Sequence, residues 1–202
     1  MGQDVNKEAA TSVPIHELIA KRWSPRAFSG EALPLPTLQR ILEAGRWAPS
    51  CFNEQPWRFI VAMRGDSEGF ARALGCLKEA NQRWSKNASV LLFTTAKKTF
   101  TRNGKDNRHA LHDLGLAVEN MVLQALADGW HTHQMAGIDV DAVREAYAVP
   151  DDFDVVTGIA IGNLDAPDTL PEPLDEREKA PRERKPLSEI AFVGRFGDPY
   201  DA

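Results

Sequence analysis

The sequence predicts an α+β domain. Three observations carry this. Strand-type runs rich in β-branched and aromatic residues occur near 58–63, 89–95 and 154–161. Helical patterns separate these runs, the longest over about Asn107 to Asp128. The chain has 202 residues with 43% apolar content, enough for one core and one domain.

The elements follow in order. Residues 1–11 are polar and predict a disordered lead-in, and residues 12–202 form the single domain. Pro14 suits a helix start, and Ile15, Leu18 and Ile19 keep helical spacing up to Arg22. Pro36 opens a second helix with Leu38, Ile41, Leu42 and Gly45 on its inner side. Two short helical pieces, near 67–75 and 76–86, lie between the strands at 58–63 and 89–95. The long helix is apolar on more than one side, through residues such as Leu111, Leu114, Leu116, Val118, Met121 and Leu123. Such a helix is central in the core or lies at a subunit contact. Gly129 closes it in the usual C-terminal position. A strand at 130–135, a helix at 139–147 and a buried central strand at 154–161 follow. Residues 165–186 hold five prolines and many charges, too polar to build a core of their own. The tail then turns apolar, with Ile190, Phe192, Val193, Phe196 and Tyr200. Residues 165–202 therefore read as an arm that docks on the domain or on a second subunit.

The bulk properties narrow the classes. A formal net charge of -5 argues against nucleic-acid binding. No apolar run is long enough to span a membrane. The stretch from Met1 to Thr11 has no apolar h-region, so no secretory signal is expected. Cys51 and Cys76 form neither a disulfide framework nor a zinc-ribbon spacing. The expectation is a soluble cytoplasmic protein.

The chemistry-bearing residues are unevenly placed. Lys21-Arg22-Trp23-Ser24-Pro25-Arg26 puts two guanidinium groups and a hydroxyl at a helix end, and Arg182-Glu183-Arg184-Lys185 adds three cations in the late arm. Arginine forks match phosphate oxygens with paired bonds, so the two clusters could converge on one phosphate. The alternative is that both are solvated surface charge. No glycine-rich phosphate loop is present, so such a phosphate would be held by side chains at helix ends. No nucleophile–base order stands out. His109, His112, His131 and His133 lack a carboxylate or cysteine at a familiar metal-ligand spacing, and core hydrogen bonding is the competing role. Cys51 reads as a reactive thiol or as a small buried filler. Polar clamps without an obvious nucleophile or base fit a bound cofactor that carries the chemistry itself. One more segment fits this picture. Pro49-Ser50-Cys51-Phe52-Asn53-Glu54-Gln55-Pro56-Trp57 is a turn stiffened by two prolines at a strand entrance, with short hydrogen-bonding side chains suited to the edge of a flat ligand.

Four segments taken together resemble the nitroreductase family of FMN-dependent oxidoreductases, in the family's order and across residues 14–197. They are Arg22-Trp23-Ser24-Pro25-Arg26-Ala27-Phe28; Ala48 to Trp57; Asp113-Leu114-Gly115-Leu116-Ala117-Val118-Glu119-Asn120 with Met135-Ala136-Gly137-Ile138-Asp139; and Arg182-Glu183-Arg184-Lys185-Pro186-Leu187 with Gly194-Arg195-Phe196-Gly197. The resemblance implies a three-layer α/β/α fold with a mostly antiparallel central sheet and a C-terminal arm extending onto the partner subunit. It implies a homodimer with FMN sites at the interface. Arg22, Trp23, Ser24 and Arg26, with Arg182 and Arg184, would hold the phosphate and ribityl chain. Asn81, Ala136 and Gly137 would meet the rim of the flavin ring, and Ser50, Cys51 and Asn53 would reach the flavin of the opposite subunit. The implied reaction is ping-pong: NAD(P)H passes hydride to flavin N5, and N5 passes it to a nitroaromatic, quinone or similar small acceptor. No catalytic side chain and no metal is implied. The same resemblance admits a flavin-dependent dehydrogenase or dehalogenase, or a non-catalytic FMN-binding or storage protein. It leaves the acceptor, and NADH or NADPH as donor, open.

The chain departs from the pattern in places. Trp23 stands where a smaller or polar residue is common, and Cys51 replaces a common serine. Trp84 sits where some relatives carry a lysine directed at the flavin edge, which bears on the flavin's reduction potential. The short linker from 64 to 81 predicts an open site.

Overall fold

The computed structural model describes residues 7–200. Helices α1 (Glu17–Lys21) and α2 (Leu35–Arg46) lead to strand β1 (Trp57–Met63). Helices α3 (Ser67–Gly75) and α4 (Glu79–Ser85), strand β2 (Val90–Lys97) and the long helix α5 (Ala110–Ala127) follow. Strand β3 (His131–Met135), helix α6 (Val140–Tyr147), strand β4 (Phe153–Gly162) and the short helix α7 (Leu174–Lys179) complete the series. The strands make one sheet in the order β1-β2-β4-β3, every neighbouring pair antiparallel.

The sheet is covered on both faces, and β2 shows why. Side chains alternate across a strand. Val90 and Leu92 pack with Ile41, Leu114, Val118 and Met121 of α2 and α5. Leu91 and Phe93 pack with Phe70, Ala73, Trp84 and Val143 of α3, α4 and α6 on the opposite face. The expected three-layer α+β architecture results, with β2 and β4 in the centre. Helices α2 and α5 approach closely at Gly45. A Cβ there would meet Met121 Cγ at 2.7 Å, and Asn120 Nδ2 donates to the Ala44 carbonyl nearby at 3.2 Å. Gly129, in left-handed backbone, ends α5 as expected, and the Trp130 N–H reaches back to the Ala125 carbonyl. The expected second apolar side of α5 persists: Leu111 and Leu116 remain exposed while Leu114, Val118 and Met121 are buried.

Two polar stretches carry structure. The disordered lead-in was expected to run through residue 11. Residues 1–6 lie outside the described residues, but Lys7 is buried and the Ala9 N–H donates to the Ala20 carbonyl. The reason is tertiary: the segment gains partners on α1 and on the arm. The polar stretch 165–186 contains α7, whose Glu178 is buried against the backbone of residues 26 and 27. The tail beyond Leu187 turns on itself through a Phe192–Pro199 bridge and leaves Ile190, Val193 and Phe196 exposed, Phe196 at 88%. No helix among the described residues is long and apolar enough to cross a membrane.

Candidate functional site

The two basic clusters come together because the chain leaving β4 runs beside the chain leaving α1. Phe28 bridges to Leu164, the Ser29 N–H donates to the Asn163 carbonyl, and the Asp165 N–H donates to the Ala27 carbonyl. The arm then folds back through α7. Glu178, 1% exposed, accepts the backbone N–H groups of Arg26 and Ala27 on one carboxylate oxygen, at 2.7 and 3.1 Å. Its other oxygen lies 3.8 Å from an Arg26 guanidinium nitrogen, beyond hydrogen-bond reach. The arm continues to Arg182, whose Nη1 donates to the carbonyls of Lys7 and Ala20 at 2.7 and 2.9 Å.

These contacts enclose a cleft of about 250 Å³, lined by Lys7, Arg22, Trp23, Ser24, Arg26, Arg177, Glu178, Arg182 and Arg184 among others. Six cations thus face one carboxylate, in a chain whose net charge is -5. The cations disfavour one another. Burial lowers the Arg182 pKa first, and the neighbouring Arg22 and Arg184 lower it further. Lys7 is lowered by burial, which the Glu178 charge opposes and the Arg182 and Arg26 charges reinforce. Arg22 also reaches Ser24, its Nη1 donating to the hydroxyl at 3.4 Å. A concentration of like charge of this kind makes the cleft a candidate anion site.

A neutral wall adjoins the cleft. The His133 Nδ1–H donates to the Pro25 carbonyl at 2.9 Å, and its ring packs 4.6 Å from Trp84. Burial, and then the Arg26 charge, push the His133 pKa down to about 4, so the ring is uncharged near neutral pH. His131 packs edge-on to Trp23, and burial lowers its pKa as well. Trp84 itself is 2% exposed, among core residues.

Asn81 of α4 meets Gly137, which follows β3. Asn81 Nδ2 donates to the Gly137 carbonyl at 3.0 Å, and the same carbonyl accepts the Lys78 N–H. A Cβ on Gly137 would lie 2.5 Å from Asn81 Nδ2, so a side chain there would displace the Asn81 amide from this bond. Ala136 is exposed.

Ser50, Cys51 and Asn53 do not line the basic cleft of their own chain. Their turn is held elsewhere. The Cys51 N–H donates to buried Asp113 at 2.9 Å, Ser50 Oγ accepts the Gln55 N–H, and Glu54 accepts the Thr101 N–H. Phe52, Asn53 and Gln55 all have φ between 51 and 57°. Positive φ costs of order 1–3 kcal/mol at a non-glycine residue and persists only where its surroundings enforce it. The Arg102 guanidinium stacks 3.9 Å from the centre of the Phe52 ring. The histidines disperse: His109 and His112 stand at the start of α5, away from the β3 pair. Among the described residues no group of three or more histidine, cysteine, aspartate or glutamate side chains is placed to hold a metal ion.

Sequence reasoning missed three charged residues of the cleft, Lys7, Arg177 and Glu178, along with Ala180 and Pro181. Lys7 carried no local signal. Arg177 and Glu178 lie in the Asp175-Glu176-Arg177-Glu178-Lys179 run, which has the composition of a solvated face.

Comparison with known proteins accords with this arrangement. The chain matches the model of the nitroreductase family over residues 19–81 and 66–163. It is 35% identical over 152 residues to an uncharacterized 15.4 kDa protein in the ask 5′ region of Mycolicibacterium smegmatis, covering 70% of this chain and 99% of that protein. It is similar to a solved oxidoreductase containing FMN, with 41% identity and a TM-score of 0.89 over 98% of this chain and 100% of the other. A nitroreductase family protein from Clostridium difficile 630 shows 25% identity and a TM-score of 0.70 over 91% of this chain and 100% of its own. On its sequence, its sheet order and its two-sided core, the chain belongs to the nitroreductase family.

Proposed function

We propose that this protein is an FMN-dependent oxidoreductase that takes hydride from NAD(P)H and delivers it to a nitroaromatic, quinone or similar small acceptor. The observation that carries the proposal is the cleft, where six cations from opposite ends of the chain face one carboxylate. The donor set fits FMN. A phosphate dianion would relieve the mutual repulsion of Arg22, Arg182 and Arg184. Arg22, Trp23, Ser24, Arg26, Arg182 and Arg184 would hold the phosphate and ribityl chain. Arg182 would do so with Nη1 already committed to two backbone carbonyls, which fixes its fork in place. Asn81, Ala136 and Gly137 would supply amide groups to the ring's polar rim. When bound, FMN supplies the hydride relay at N5, which removes the need for a nucleophile or base from the chain. Neutral His133 and buried Trp84 would then keep charge and water away from the flavin between its phosphate and its rim.

The working unit is a homodimer in this reading. Exposed apolar groups on three helical segments support it: Ile15 and Ile19 around α1, Trp47 after α2 at 72% exposure, and Leu111 and Leu116 on α5. The apolar tail supports it too. Ser50, Cys51 and Asn53 would then reach the second subunit's flavin from a turn rigid enough to present them.

The test is a visible spectrum of the purified protein, followed by NADH or NADPH without oxygen. Flavin bands that bleach are expected. Arg22→Ala and Arg184→Ala should each weaken FMN binding by about 1.5–3 kcal/mol, the range for a charge-assisted bond. Protein that shows no flavin bands after incubation with FMN overturns the reading.

A further inference from the structure

We propose that the N-terminal segment around Lys7–Ala9 is a strap over the anion cleft and that Lys7 is a cofactor-retaining cation within it. The inference rests on the flavin reading above and adds a residue and a segment to that site. Three contacts seat the strap. The Ala9 N–H bonds to the Ala20 carbonyl at the end of α1. The Lys7 carbonyl accepts from Arg182 in the arm at 2.7 Å. The Lys7 ammonium donates to the Ala180 carbonyl and lies 5.2 Å from the Trp23 ring centre. The segment therefore ties α1, the arm and the tryptophan of the first basic cluster together across the cleft mouth.

The charge is the informative part. Lys7 is 8% exposed and lines a cleft that already holds Arg26 and Arg182. A strap needed only for shape would be more stable with an uncharged side chain there, because a buried ammonium beside two guanidinium groups is disfavoured. Glu178 is the one carboxylate lining the cleft, shared between Lys7 and Arg26 while also serving the Arg26 and Ala27 backbone, so its single charge leaves the cations in excess. The placement makes physical sense when a doubly charged anion shares the cleft. An ammonium has three donors, and Ala180 takes one of them. The contact between the Lys7 carbonyl and Arg182 also couples the strap to a residue of the arginine set.

The test compares FMN with riboflavin, which lacks the phosphate, as ligands of the full-length protein stripped of flavin. Affinities are read by flavin fluorescence for the parent, Lys7→Met and Lys7→Arg. Lys7→Met keeps the apolar stem over Trp23 and removes the charge. It is expected to weaken FMN about tenfold and to leave riboflavin affinity within about twofold, with Lys7→Arg recovering most of the loss. Equal weakening of both ligands by Lys7→Met would mean the strap acts only through shape and overturns the cation role. Unchanged FMN affinity in Lys7→Met overturns the proposal while leaving the flavin site standing. A parent protein that binds neither ligand overturns the flavin reading itself, and the role of Lys7 with it.

Discussion

Glu178 is the residue on which the arm's attachment turns, and its removal gives the sharpest stability prediction. Its carboxylate accepts two backbone N–H bonds, at 2.7 and 3.1 Å, from residues 26 and 27 while 1% exposed. Hydrogen bonds to a charged group contribute about 1.5–3 kcal/mol each, and breaking a buried charged contact costs about 3–5 kcal/mol. Part of this is offset in Glu178→Ala. The cleft admits water to the orphaned donors, and the buried carboxylate's own desolvation cost disappears. A net loss of about 3 kcal/mol is expected for Glu178→Ala. Glu178→Gln keeps an acceptor in place but without charge, so its bonds are about half as strong and the loss is about 1.5 kcal/mol. Urea unfolding followed by tryptophan fluorescence and far-UV circular dichroism reads both variants. The midpoint should fall by about 1 M for alanine and about half that for glutamine, at an unchanged slope. Two variants within about 0.5 kcal/mol of the parent would refute the reasoning, since that is the range of an ordinary surface change. Glutamine as damaging as alanine would refute the assignment of the effect to the acceptor bonds.

Three further outcomes are expected. His133, with its pKa held at about 4 in the folded state against about 6.5 unfolded, leaves the unfolded chain binding more protons between those values. Stability should therefore be full above pH 6.5 and decline by about 3 kcal/mol as pH falls toward 4, with a flatter profile in His133→Gln, read by denaturant midpoints across pH. Gly137→Ala should cost about 1–2 kcal/mol by displacing the Asn81 amide, and in a double-mutant cycle with Asn81→Ala the two losses should not add, read by thermal unfolding. Leu116→Glu, on the exposed side of α5, should yield monomers by light scattering and release bound flavin, and a stable flavin-loaded dimer would contradict the interface assignment.

The fold was legible where local pattern and burial coincide. Val90 to Lys97 is rich in β-formers because the strand is buried on both faces, and the apolar run of β4 reflects its place between β2 and β3. Gly129 marked the end of α5 because left-handed backbone favours glycine there. Of the candidate site, Arg22, Arg26, Arg182 and Arg184 were legible as charge clusters, and these meet in the cleft; Asn81, Ala136 and Gly137 come from the family resemblance and belong to the proposal. What was not legible depends on contacts between distant segments. Nothing local distinguishes Glu178 from Glu176, yet one is buried against residues 26 and 27 and the other is exposed. Lys7 sits in a polar lead-in whose order is supplied by Ala20, Ala180 and Arg182. The positive φ of Phe52 and Gln55 was equally hidden, because neither residue type favours it and the conformation is imposed from Asp113 and Thr101.

In the proposed flavin reading, the contacts of the arm also link cofactor binding to folding. The arm through Pro186 has too little apolar surface to hold itself, and its order near the cleft rests on Glu178 and Arg182, each engaged with the N-terminal part of the domain. Arg182 and Arg184 reach the cleft only when those contacts are made. An anion that needs both arginines and Arg22 therefore binds the closed arm and not the open one. A ligand with that preference stabilises the closed form by about 2.7 kcal/mol at a hundred times its dissociation constant. That is close to the contribution assigned to Glu178, so neither term dominates. The repulsion among Arg22, Arg182 and Arg184 opposes closure in the absence of an anion, and Glu178 offsets it by holding residues 26 and 27 against α7. In the proposed flavin reading, phosphate binding and the seating of the arm reinforce each other, and the buried carboxylate holds residues 26 and 27 against α7.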